Sequence, residues 1–597
     1  MNNLEKYWGN YHIHTDKDSN LRFLDSTLTI QDTIDYAEQN NLGFAYIGGH
    51  ESLSSHVTAE RYYHSKERNF PLLFGDEIYL VNQNSMEKAE QNNEKFKYYH
   101  FLVTALDKKG HDFLQEQSTI AWSHYHMYHG QERVPTYYND LAKLMAKYRG
   151  HVVGSTSCLG GQFSQLIQKY NVTKDNQYLD EAHRFVQWCI NLFGKDYFYM
   201  ELMPSKNPLQ KLTNKFAIKF AKEFGIRYII TVDAHYKTLS DREIHTALLH
   251  SRNRNRDITA YNTAHLFTLD ELRAYFSEDV INHTLESFEK IVGQVQDYTF
   301  YHAPILPETP INDNLEYPNL DKVDIKYKNI YNFYHSKVRE DNAFLSECLK
   351  GFVRNHLPYN EQYLSRLNLE IGELIKISNK IKQPMSVYFL AEQNLLKIAW
   401  KIALVGPGRG SASCWLSNFL LDLVQVDAVK YDLPYYRFLS AERVSENKAD
   451  QYPDIDEDFE ASKKQDVIEL FKKYYGYDKV LNVATFTTVG SHSAILMSCR
   501  ALNLPVNIAN YLTTLIPSDS NGKELPLKTA ILGDEKKNIK PNKRLISALD
   551  KYKLTHVCLG LVGLVVGRSV HASAVVIDKY GLTTHNAFMN STKRINS

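Results

Sequence analysis

Residues 405–459 read VGPGRGSASCWLSNFLLDLVQVDAVKYDLPYYRFLSAERVSENKADQYPDIDEDF. The stretch opens with a glycine-rich turn, Gly406–Ser411. It closes with three alternating carboxylates: Asp454, Asp456 and Asp458. Glycines let backbone N–H groups approach an anionic ligand closely, and Arg409 and Ser411 add a positive charge and a hydroxyl donor. The turn therefore predicts a phosphate-binding loop, although a glycine-rich turn on its own is more often a plain surface loop.

The alternation of the carboxylates has a structural meaning. In an extended strand alternate residues share a face, so Asp454 and Asp456 are predicted to point the same way. Two adjacent carboxylates repel each other unless a divalent cation lies between them. A D-x-D-x-D run alone is usually a solvated surface. A phosphate loop followed by a carboxylate pair, however, predicts phosphoryl transfer with two metal ions.

Three motifs in this region resemble one family. They are GPGRGSAS at 406–413, DLPYYRFLSAERVS at 432–445 and PDIDEDF at 453–459. Together they resemble the palm of the C-family bacterial replicative DNA polymerase, the polymerase III α subunit. The resemblance implies a DNA-directed DNA polymerase, a nucleotidyltransferase that adds dNTPs to a primer 3′ end on primer–template DNA.

The resemblance also implies roles for individual residues. Asp454 and Asp456 are expected to hold the catalytic Mg²⁺ ions. The residues expected near the incoming nucleotide are Arg409, Gly410, Ser411, Arg437, Arg443 and His571, with Arg568 beside the last of these. The family's link is shorter than SENKADQY at 445–452, so this chain is expected to carry an additional surface loop there.

Metal-capable side chains recur in the first 300 residues where short apolar runs end. His12 and His14 stand two residues apart, as do Asp233 and His235, and on a strand each pair faces one side. Apolar strand patterns alternate here with helical ones, which predicts an α/β barrel with ligands at the strand ends. With 24 histidines in the chain, any single one is more often a surface or core residue than a ligand.

As a set, these residues resemble the PHP (polymerase and histidinol phosphatase) domain that opens the same polymerase family. The metal ligands that the resemblance implies are His12, His14, Asp25, His50, Glu77, His100, Cys158, Asp233 and His235. It implies up to three metal ions with Glu77 as a bridging ligand. A mixture of imidazole, carboxylate and thiolate suits Zn²⁺ or Mn²⁺ better than Mg²⁺.

An intact cluster of this kind implies phosphoester hydrolysis, because a bound metal lowers the pKa of its water and neutralises phosphate charge. In a polymerase the implied reaction is that of a 3′→5′ exonuclease. The alternative is a metal that only stabilises the barrel. The sequence departs from the family at Gly48-Gly49, where Thr-Asp is usual, and this departure is expected to weaken the support of His50.

The resemblance runs from about residue 8 to the last residue and implies four regions. We expect a PHP domain at 1–295, a first palm segment with a helical lead-in at 296–482, a thumb at 483–556 and a second palm segment at 557–597. The expected fold is multidomain, α/β and α+β: a (β/α) barrel, then a nucleotidyltransferase-type palm that a helical thumb interrupts. His492 stands where the family commonly has a lysine, whereas KKNIKPNKR at 536–544 supplies a basic run close to DNA phosphates.

In the family, a third aspartate, the fingers and a clamp-binding region follow this point. We therefore expect a C-terminal partner fragment that carries them and, through it, contact with a sliding clamp. The sequence leaves three origins of the chain open: a split gene, one half of a protein interrupted by an intein or intron, or a truncation. It also leaves open whether a phage or its host encodes the chain. We also expect that this chain alone does not extend a primer. The alternative functions are a standalone PHP-type metal phosphoesterase and a non-catalytic replication subunit.

Composition limits the function classes. A chain of 597 residues predicts several domains. Lys plus Arg number 69 and Asp plus Glu number 69, which argues against a bulk polycation but leaves room for a local basic groove. Six dispersed cysteines without a CxxC pair, a polar start and the lack of a long apolar run predict a cytoplasmic protein without a membrane segment.

Overall fold

A computed structural model describes residues 4–300, 307, 309–444, 453–519, 521–582 and 586–590. The additional loop expected at 445–452 lies outside the described residues. The chain divides into two compact units. The first comprises residues 1–300, 484–571 and 585–597, and the second comprises residues 301–483 and 572–584.

A curled seven-stranded sheet forms the centre of the first unit. The strands of residues 1–300 are β1 (Ala45–Ile47), β2 (Leu72–Val81), β3 (Tyr99–Ala105), β4 (His126–Tyr128), β5 (Gln131–Arg133), β6 (Thr136–Tyr137), β7 (Val152–Ser155), β8 (Phe198–Leu202) and β9 (Arg227–Ile230). The order in the sheet is β1-β2-β3-β7-β8-β9, with β6 paired to β2, while β4 and β5 form a separate hairpin. The predicted mixed α/β fold class is confirmed.

Strand β3 runs antiparallel to both of its neighbours, β2 and β7. The pairs β1–β2, β7–β8 and β8–β9 are parallel. The expected regular (β/α) repeat is therefore interrupted, because the connection from β2 to β3 brings the chain back to the edge that it left. As a result, His100 at the start of β3 lies opposite Tyr79 near the end of β2.

The segment Tyr11–Thr15 joins the two outer strands of the sheet. The His14 N–H donates to Ala234 O at 2.9 Å, just beyond β9, and the Thr15 N–H donates to Gly48 O at 3.0 Å, just beyond β1. These contacts curl the sheet toward a barrel. They also bring His14 to the edge where the parallel strands end.

Helices surround this sheet. In chain order they are α1 (Asp16–Ser19), α2 (Ile30–Gln39), α3 (His56–Tyr63), α4 (Gln83–Gln91), α5 (Lys108–Ser123), α6 (Tyr138–Tyr148), α7 (Gln162–Thr173), α8 (Gln177–Phe193), α9 (Pro208–Phe224), α10 (Arg242–Arg252), α11 (Leu269–Leu272) and α12 (Glu278–Val292). Helix α8 shows why they pack. Its Phe185, Cys189 and Ile190 recur at helical spacing, lie buried and belong to one core with Phe101 of β3.

The second unit is mainly helical. Its helices are α13 (Lys328–Tyr334), α14 (Arg339–Arg354), α15 (Glu361–Ile381), α16 (Ser386–Ala399), α17 (Leu416–Leu420) and α18 (Lys464–Tyr475). Helix α15 turns Leu367, Ile371 and Leu374 into the core, again at helical spacing. The glycine-rich turn leads into α17, and the extended carboxylate segment precedes α18.

Residues 484–571, here called the helical lobe, complete the first unit. They contain α19 (Ser491–Ala501), α20 (Val506–Thr513), α21 (Leu527–Leu532), α22 (Lys543–Lys551) and α23 (Thr555–Leu561). Strands β10 (Val480–Thr488) and β11 (Val565–Ile577) pair with each other at the two ends of this stretch. Among the described residues, no helix is both long and apolar enough to span a bilayer.

Glu370 on α15 holds the chain in place just after the glycine-rich turn. Its fully buried carboxylate accepts from Leu416 N and Ser417 N, both at 2.8 Å, and from the Ser417 hydroxyl at 2.7 Å. Arg366 Nε lies 2.7 Å from the same carboxylate. The carboxylate thus caps the start of α17, where backbone N–H groups have no partner within the helix.

We expect Glu370→Ala to lower the free energy of unfolding of the second unit by about 3–5 kcal/mol, because Arg366 would lose its buried partner. Urea unfolding followed by circular dichroism measures the change. Glu361→Ala, on the exposed first turn of the same helix, is the control and should change stability by about 0.5 kcal/mol or less. Equal effects of the two variants would contradict a special role for Glu370.

Candidate functional site

The nine side chains predicted as metal ligands come together at the sheet edge where the parallel strands end. They are His12, His14, Asp25, His50, Glu77, His100, Cys158, Asp233 and His235. Within the described chain, the closest possible ligand groups are His14 with His50 and His235, His12 with His14 and Glu77, and Glu77 with His100 and Cys158. In each group the ligand atoms lie within 4.8 Å of one another.

Glu77 lies at the centre of this cluster. Its Oε1 lies 3.3 Å from His12 Nε2 and 3.0 Å from His100 Nδ1, and its Oε2 lies 2.9 Å from His50 Nδ1. Cys158 Sγ lies 3.9 Å from the same Oε1. A carboxylate with different neighbours on its two oxygens is suited to serve two metal positions.

Two further carboxylates flank the imidazoles. Asp233 Oδ1 lies 2.9 Å from His14 Nε2 and 3.5 Å from His12 Nε2, and Asp25 Oδ2 lies 3.3 Å from His50 Nε2. His12 and Asp233 both adopt left-handed backbone conformations, with φ of 66° and 46°. Such conformations are uncommon outside glycine, and they persist where the surroundings fix the residue, as at many functional sites.

The donor set fits metal ions. Within the cluster, four buried atoms of the described residues make no hydrogen bond: His12 Nε2, His14 Nε2, Asp25 Oδ1 and Glu77 Oε2. Three of them, all except Asp25 Oδ1, lie 2.9–3.3 Å from an atom of an opposite-charge partner in the cluster. A buried polar atom without a partner costs about 1–3 kcal/mol. Imidazole nitrogens and carboxylate oxygens are ordinary ligands of zinc and related cations, so bound metal would satisfy all four atoms.

Burial and neighbouring charges set the ionisation of the cluster. Burial disfavours the charged form of Glu77, but His100 and His12 hold the pKa of Glu77 well below its usual range. The pKa of Asp233 is likewise lowered by His12 against the effect of burial. Burial lowers the pKa of His235 to about 4. The neighbouring carboxylates raise the pKa values of His12, His50 and His100 against the effect of burial, so these imidazoles would release protons when a metal binds.

In the second unit, the glycine-rich turn packs on the carboxylate segment. The Gly406 N–H donates to Asp458 O at 2.8 Å. Arg409 Nη1 lies 3.2 Å from Asp458 Oδ1, and its Nε lies 3.8 Å from Asp456 Oδ2. Gly408 has a φ of +94°, and a Cβ there would lie 2.6 Å from Val424 Cγ1, so this turn requires glycine.

The predicted alternation of the carboxylates is present in the structure. Asp454, Asp456 and Asp458 are exposed, whereas the intervening Ile455 and Glu457 are half-buried. Burial raises the pKa of the Glu457 carboxyl to about 8. The exposed face thus carries acidic side chains beside the only cation of the turn's GPGRGS sequence, Arg409.

Comparison with known families identifies two domains in the chain. A model of the bacterial DNA polymerase III alpha NTPase domain matches residues 342–596, and a model of the PHP domain matches residues 10–205. The chain carries a PHP domain followed by a DNA polymerase III alpha NTPase domain. DNA polymerase and PHP families are generally metal-dependent, which agrees with the donor sets described above.

Individual relatives agree with the domain assignment. The probable DNA polymerase YorL of Bacillus subtilis (strain 168) and the DNA-directed DNA polymerase of Bacillus phage SPbeta are each 33% identical over 620 residues, which cover 98% of this chain and 46% of the relative. DNA polymerase III subunit alpha of Aquifex aeolicus (strain VF5) is 26% identical over 611 residues, 96% of this chain and 48% of the relative. The chain spans about half the length of the curated relatives that it matches.

Glu201 supports the PHP cluster, although sequence reasoning did not single it out. Its Oε2 lies 3.0 Å from His12 Nδ1, the nitrogen that faces away from the cluster. Ser155 Oγ donates to Oε1 at 2.5 Å and Thr231 Oγ1 donates to Oε2 at 2.7 Å. A carboxylate in this position orients a ligating histidine and raises its basicity. The available signal was an acidic residue inside the otherwise apolar strand FYMEL.

The Gly48-Gly49 pair makes room for a neighbouring element. A Cβ at Gly49 would lie 2.2 Å from Asp18 Cβ, so no side chain fits there. His50 receives a different contact, because the Tyr79 hydroxyl lies 2.8 Å from His50 Nδ1. The effect of the two glycines on metal binding stays a prediction.

A cavity of about 670 Å³ opens over the PHP cluster. The cations that line it are Arg22, Lys97, Arg133 and Arg256, and the aromatic residues are Phe23, Tyr79, Phe96, Tyr98 and Tyr261. The Arg22 guanidinium lies 4.8 Å from the ring centre of Phe23 and 4.9 Å from that of Tyr79. Positive groups and flat rings around a metal cluster suit an anionic ligand that also carries rings.

The remaining predicted residues lie at separate places. Gly410, with φ +64°, and the half-buried Ser411 belong to the turn itself. Arg443 Nη1 donates to Tyr436 O at 3.2 Å and to Arg437 O at 3.3 Å, which brings the two predicted arginines together. His571 lies exposed on β11. The neighbouring Arg568, expected near the nucleotide, is bound instead to Glu132 of the barrel, at 3.0 and 3.1 Å.

We expect the purified chain to bind two or three equivalents of Zn²⁺ or Mn²⁺, because four buried atoms of the cluster that make no hydrogen bond point to coordination. His12→Ala/His14→Ala should lose at least one equivalent, and Glu201→Gln should weaken affinity about tenfold without changing the final stoichiometry. Metal analysis after dialysis gives both quantities. His64→Ala, outside the cluster, is the control. Less than one equivalent in the parent chain, unchanged in the double variant, would refute the prediction.

Proposed function

We propose that this chain forms the PHP domain, palm and thumb of a cytosolic DNA-directed DNA polymerase, with the regions bounded at residues 295, 482 and 556. The observation that carries the proposal is the packing of the glycine-rich turn on the carboxylate segment, through Gly406 N–H to Asp458 O at 2.8 Å. The side chain of Arg409, a residue of the turn, lies 3.8 Å from the Asp456 carboxylate, which supports a role for the turn in binding phosphate beside Asp456.

Each part of this arrangement has a task in nucleotide addition. Backbone N–H groups of the turn and Arg409 would bind the triphosphate, and Asp454 and Asp456 would hold Mg²⁺. Bound Mg²⁺ supplies neutralisation of phosphate charge and activation of the primer 3′-oxygen. Two hydrogen bonds hold the backbone of the turn: Gly406 N–H donates to Asp458 O and Gln425 N–H donates to Pro407 O, both at 2.8 Å. A turn held in this way before the ligand arrives lowers the cost of positioning.

The carboxylate segment supports the need for a further ligand. Asp458 shares a face with Asp454, but four residues of extended chain separate them by about 13 Å. Among the described residues, the close groups of three possible ligands all belong to the barrel. We propose that a C-terminal polymerase fragment, which also contacts a sliding clamp, supplies the third carboxylate and closes on the base pair.

Primer extension tests this proposal. We expect the isolated chain with Mg²⁺ and dNTPs to leave a primer unextended and to extend it when the corresponding C-terminal fragment is added, because the third ligand is then present. In the mixture Asp454→Ala should reduce extension at least 100-fold, whereas Asp466→Asn on nearby α18 should not. Robust extension by the isolated chain, lost in Asp454→Ala, would show that the site is complete without a partner.

A second activity is supported by the cavity over the PHP cluster. We propose that the barrel hydrolyses phosphoester bonds at DNA 3′ ends. Arg22, Arg133 and Arg256 would bind phosphate, and Phe23 and Tyr98 offer faces on which a base stacks, as in sites for single-stranded nucleic acid. Metal ions bound by the nine ligands would supply an activated water. Among this chain's own groups, the buried carboxylate of Glu77 and the half-buried carboxylate of Asp233 remain charged to hold such ions.

We expect the chain with Mn²⁺ or Zn²⁺ to shorten a primer with a mismatched 3′ end. Asp233→Asn should reduce the rate at least 100-fold while the circular dichroism spectrum stays unchanged, because one metal ligand is removed and the shape is kept. Asp196→Asn, prepared identically, controls for contaminating nucleases. An intact primer with the parent chain would favour a structural metal or another phosphoester. A chain inactive in both assays would favour the non-catalytic subunit.

A further inference from the structure

The loop that carries Asp25 is held by one buried amide, Asn20. Asn20 Oδ1 accepts from Asp25 N and from Ser26 N, both at 2.9 Å. Its Nδ2 donates to Ser26 O at 2.8 Å and, on the other side, to Val565 O of β11 at 2.8 Å. A single side chain therefore joins the backbone of a candidate metal ligand to the helical lobe.

Asp16 makes the complementary contact. Its Oδ2 accepts from Val565 N at 2.9 Å. Both backbone groups of Val565 are thus bound by buried side chains of α1 and the residue after it, between His14 and Asp25 in the sequence. A buried donor or acceptor without a hydrogen-bond partner is costly. The start of β11 and the Asp25 loop therefore stabilise each other in their observed positions.

Leu24, the residue before Asp25, belongs to the core of the helical lobe. It is 3% exposed and packs in one cluster with Leu248 of α10 and with lobe residues such as Ile495 and Leu561. Its φ of 48° is a left-handed conformation that is unfavourable for leucine. The packing of Leu24 in the lobe offsets this cost and fixes the backbone direction at Asp25.

Two more side chains, His245 and Arg568, contact the backbone of the segment from Leu21 to Asp25. His245 Nε2 lies 2.7 Å from Asp25 O, and its helix, α10, packs against α19 and α23 of the lobe. Arg568 of β11 donates to Leu21 O and forms the paired contact with Glu132, which lines the cavity. The Arg568 guanidinium also lies 4.9 Å from the ring centre of Trp122.

We propose that Asn20 and Leu24 are positioning residues through which docking of the helical lobe places Asp25 in the metal centre. Metal binding in the barrel and docking of the lobe are then coupled: each favours the other by the same free energy. The coupling rests on the proposed metal centre. In the proposed polymerase it means that the hydrolytic site is fully assembled only while the lobe is docked on the barrel.

The test measures metal affinity in the full chain by competition with a fluorescent chelator for Zn²⁺. Leu24→Ala and Arg568→Glu should each raise the apparent Kd of the weakest-bound ion about tenfold. Loss of a residue that holds a metal ligand in position has an effect of this size in metal sites. Lys551→Glu, a charge reversal on the exposed end of α22, is the control and should leave Kd unchanged. Arg568→Glu keeps the test valid if Leu24→Ala does not fold.

Hydrogen exchange of the lobe amides gives the reciprocal measurement. Adding Zn²⁺ to the metal-free parent chain should slow exchange at residues 565–568 at least threefold, and Asn20→Ser should abolish this difference. Parent-like affinity in Leu24→Ala and Arg568→Glu, with exchange in the lobe unchanged by Zn²⁺, would overturn the coupling. A parent chain that binds no metal would instead refute the metal centre, and one that binds metal but cleaves no DNA would refute only the hydrolytic activity.

Discussion

The first unit depends on one buried carboxylate, Glu77. A charged group in an interior is costly unless other charges and donors surround it. Here His12, His50 and His100 approach its two oxygens, and they come from three different parts of the chain. The curled sheet can be understood as the frame that brings these parts to one edge. The antiparallel direction of β3 brings His100 to Glu77, and the closing segment Tyr11–Thr15 brings His12 to it.

The second unit also contains a buried carboxylate, but different groups surround it. Its buried carboxylate, Glu370, binds backbone N–H groups and Arg366, and it fixes the chain beyond the glycine-rich turn. The carboxylates proposed for chemistry, Asp454 and Asp456, are exposed, and within the part of the chain that the structure describes they belong to no close group of three possible ligands. The side chains of the barrel cluster are therefore brought together by their own chain, whereas the carboxylate segment presents an exposed acidic face beside Arg409.

The nine side chains that the family resemblance implied as ligands lie together in the structure, and several of them follow apolar runs that can be recognised in the sequence. The pairs His12 with His14 and Asp233 with His235 were expected on strands, but His12 and Asp233 adopt left-handed backbone conformations instead. The alternation of Asp454 and Asp456 follows from a period of two. The direction of β3 was not predictable in this way, because parallel and antiparallel strands share that period. Glu201 was not predicted, because it lies inside a strand and its role depends on a contact with His12, which is distant in sequence.

The barrel also shows why a domain matched by sequence need not be a complete structural unit. The PHP model ends at residue 205, but Asp233 and His235 belong to the cluster. Beyond them, Asn20 reaches Val565, which is 545 residues away in sequence. No local pattern encodes such a contact, since a buried amide near residue 20 has many candidate partners. The contact nevertheless determines how Asp25 is held, because the same side chain binds the Asp25 N–H. The proposed metal centre thus depends on contacts from the first unit as a whole, the helical lobe included.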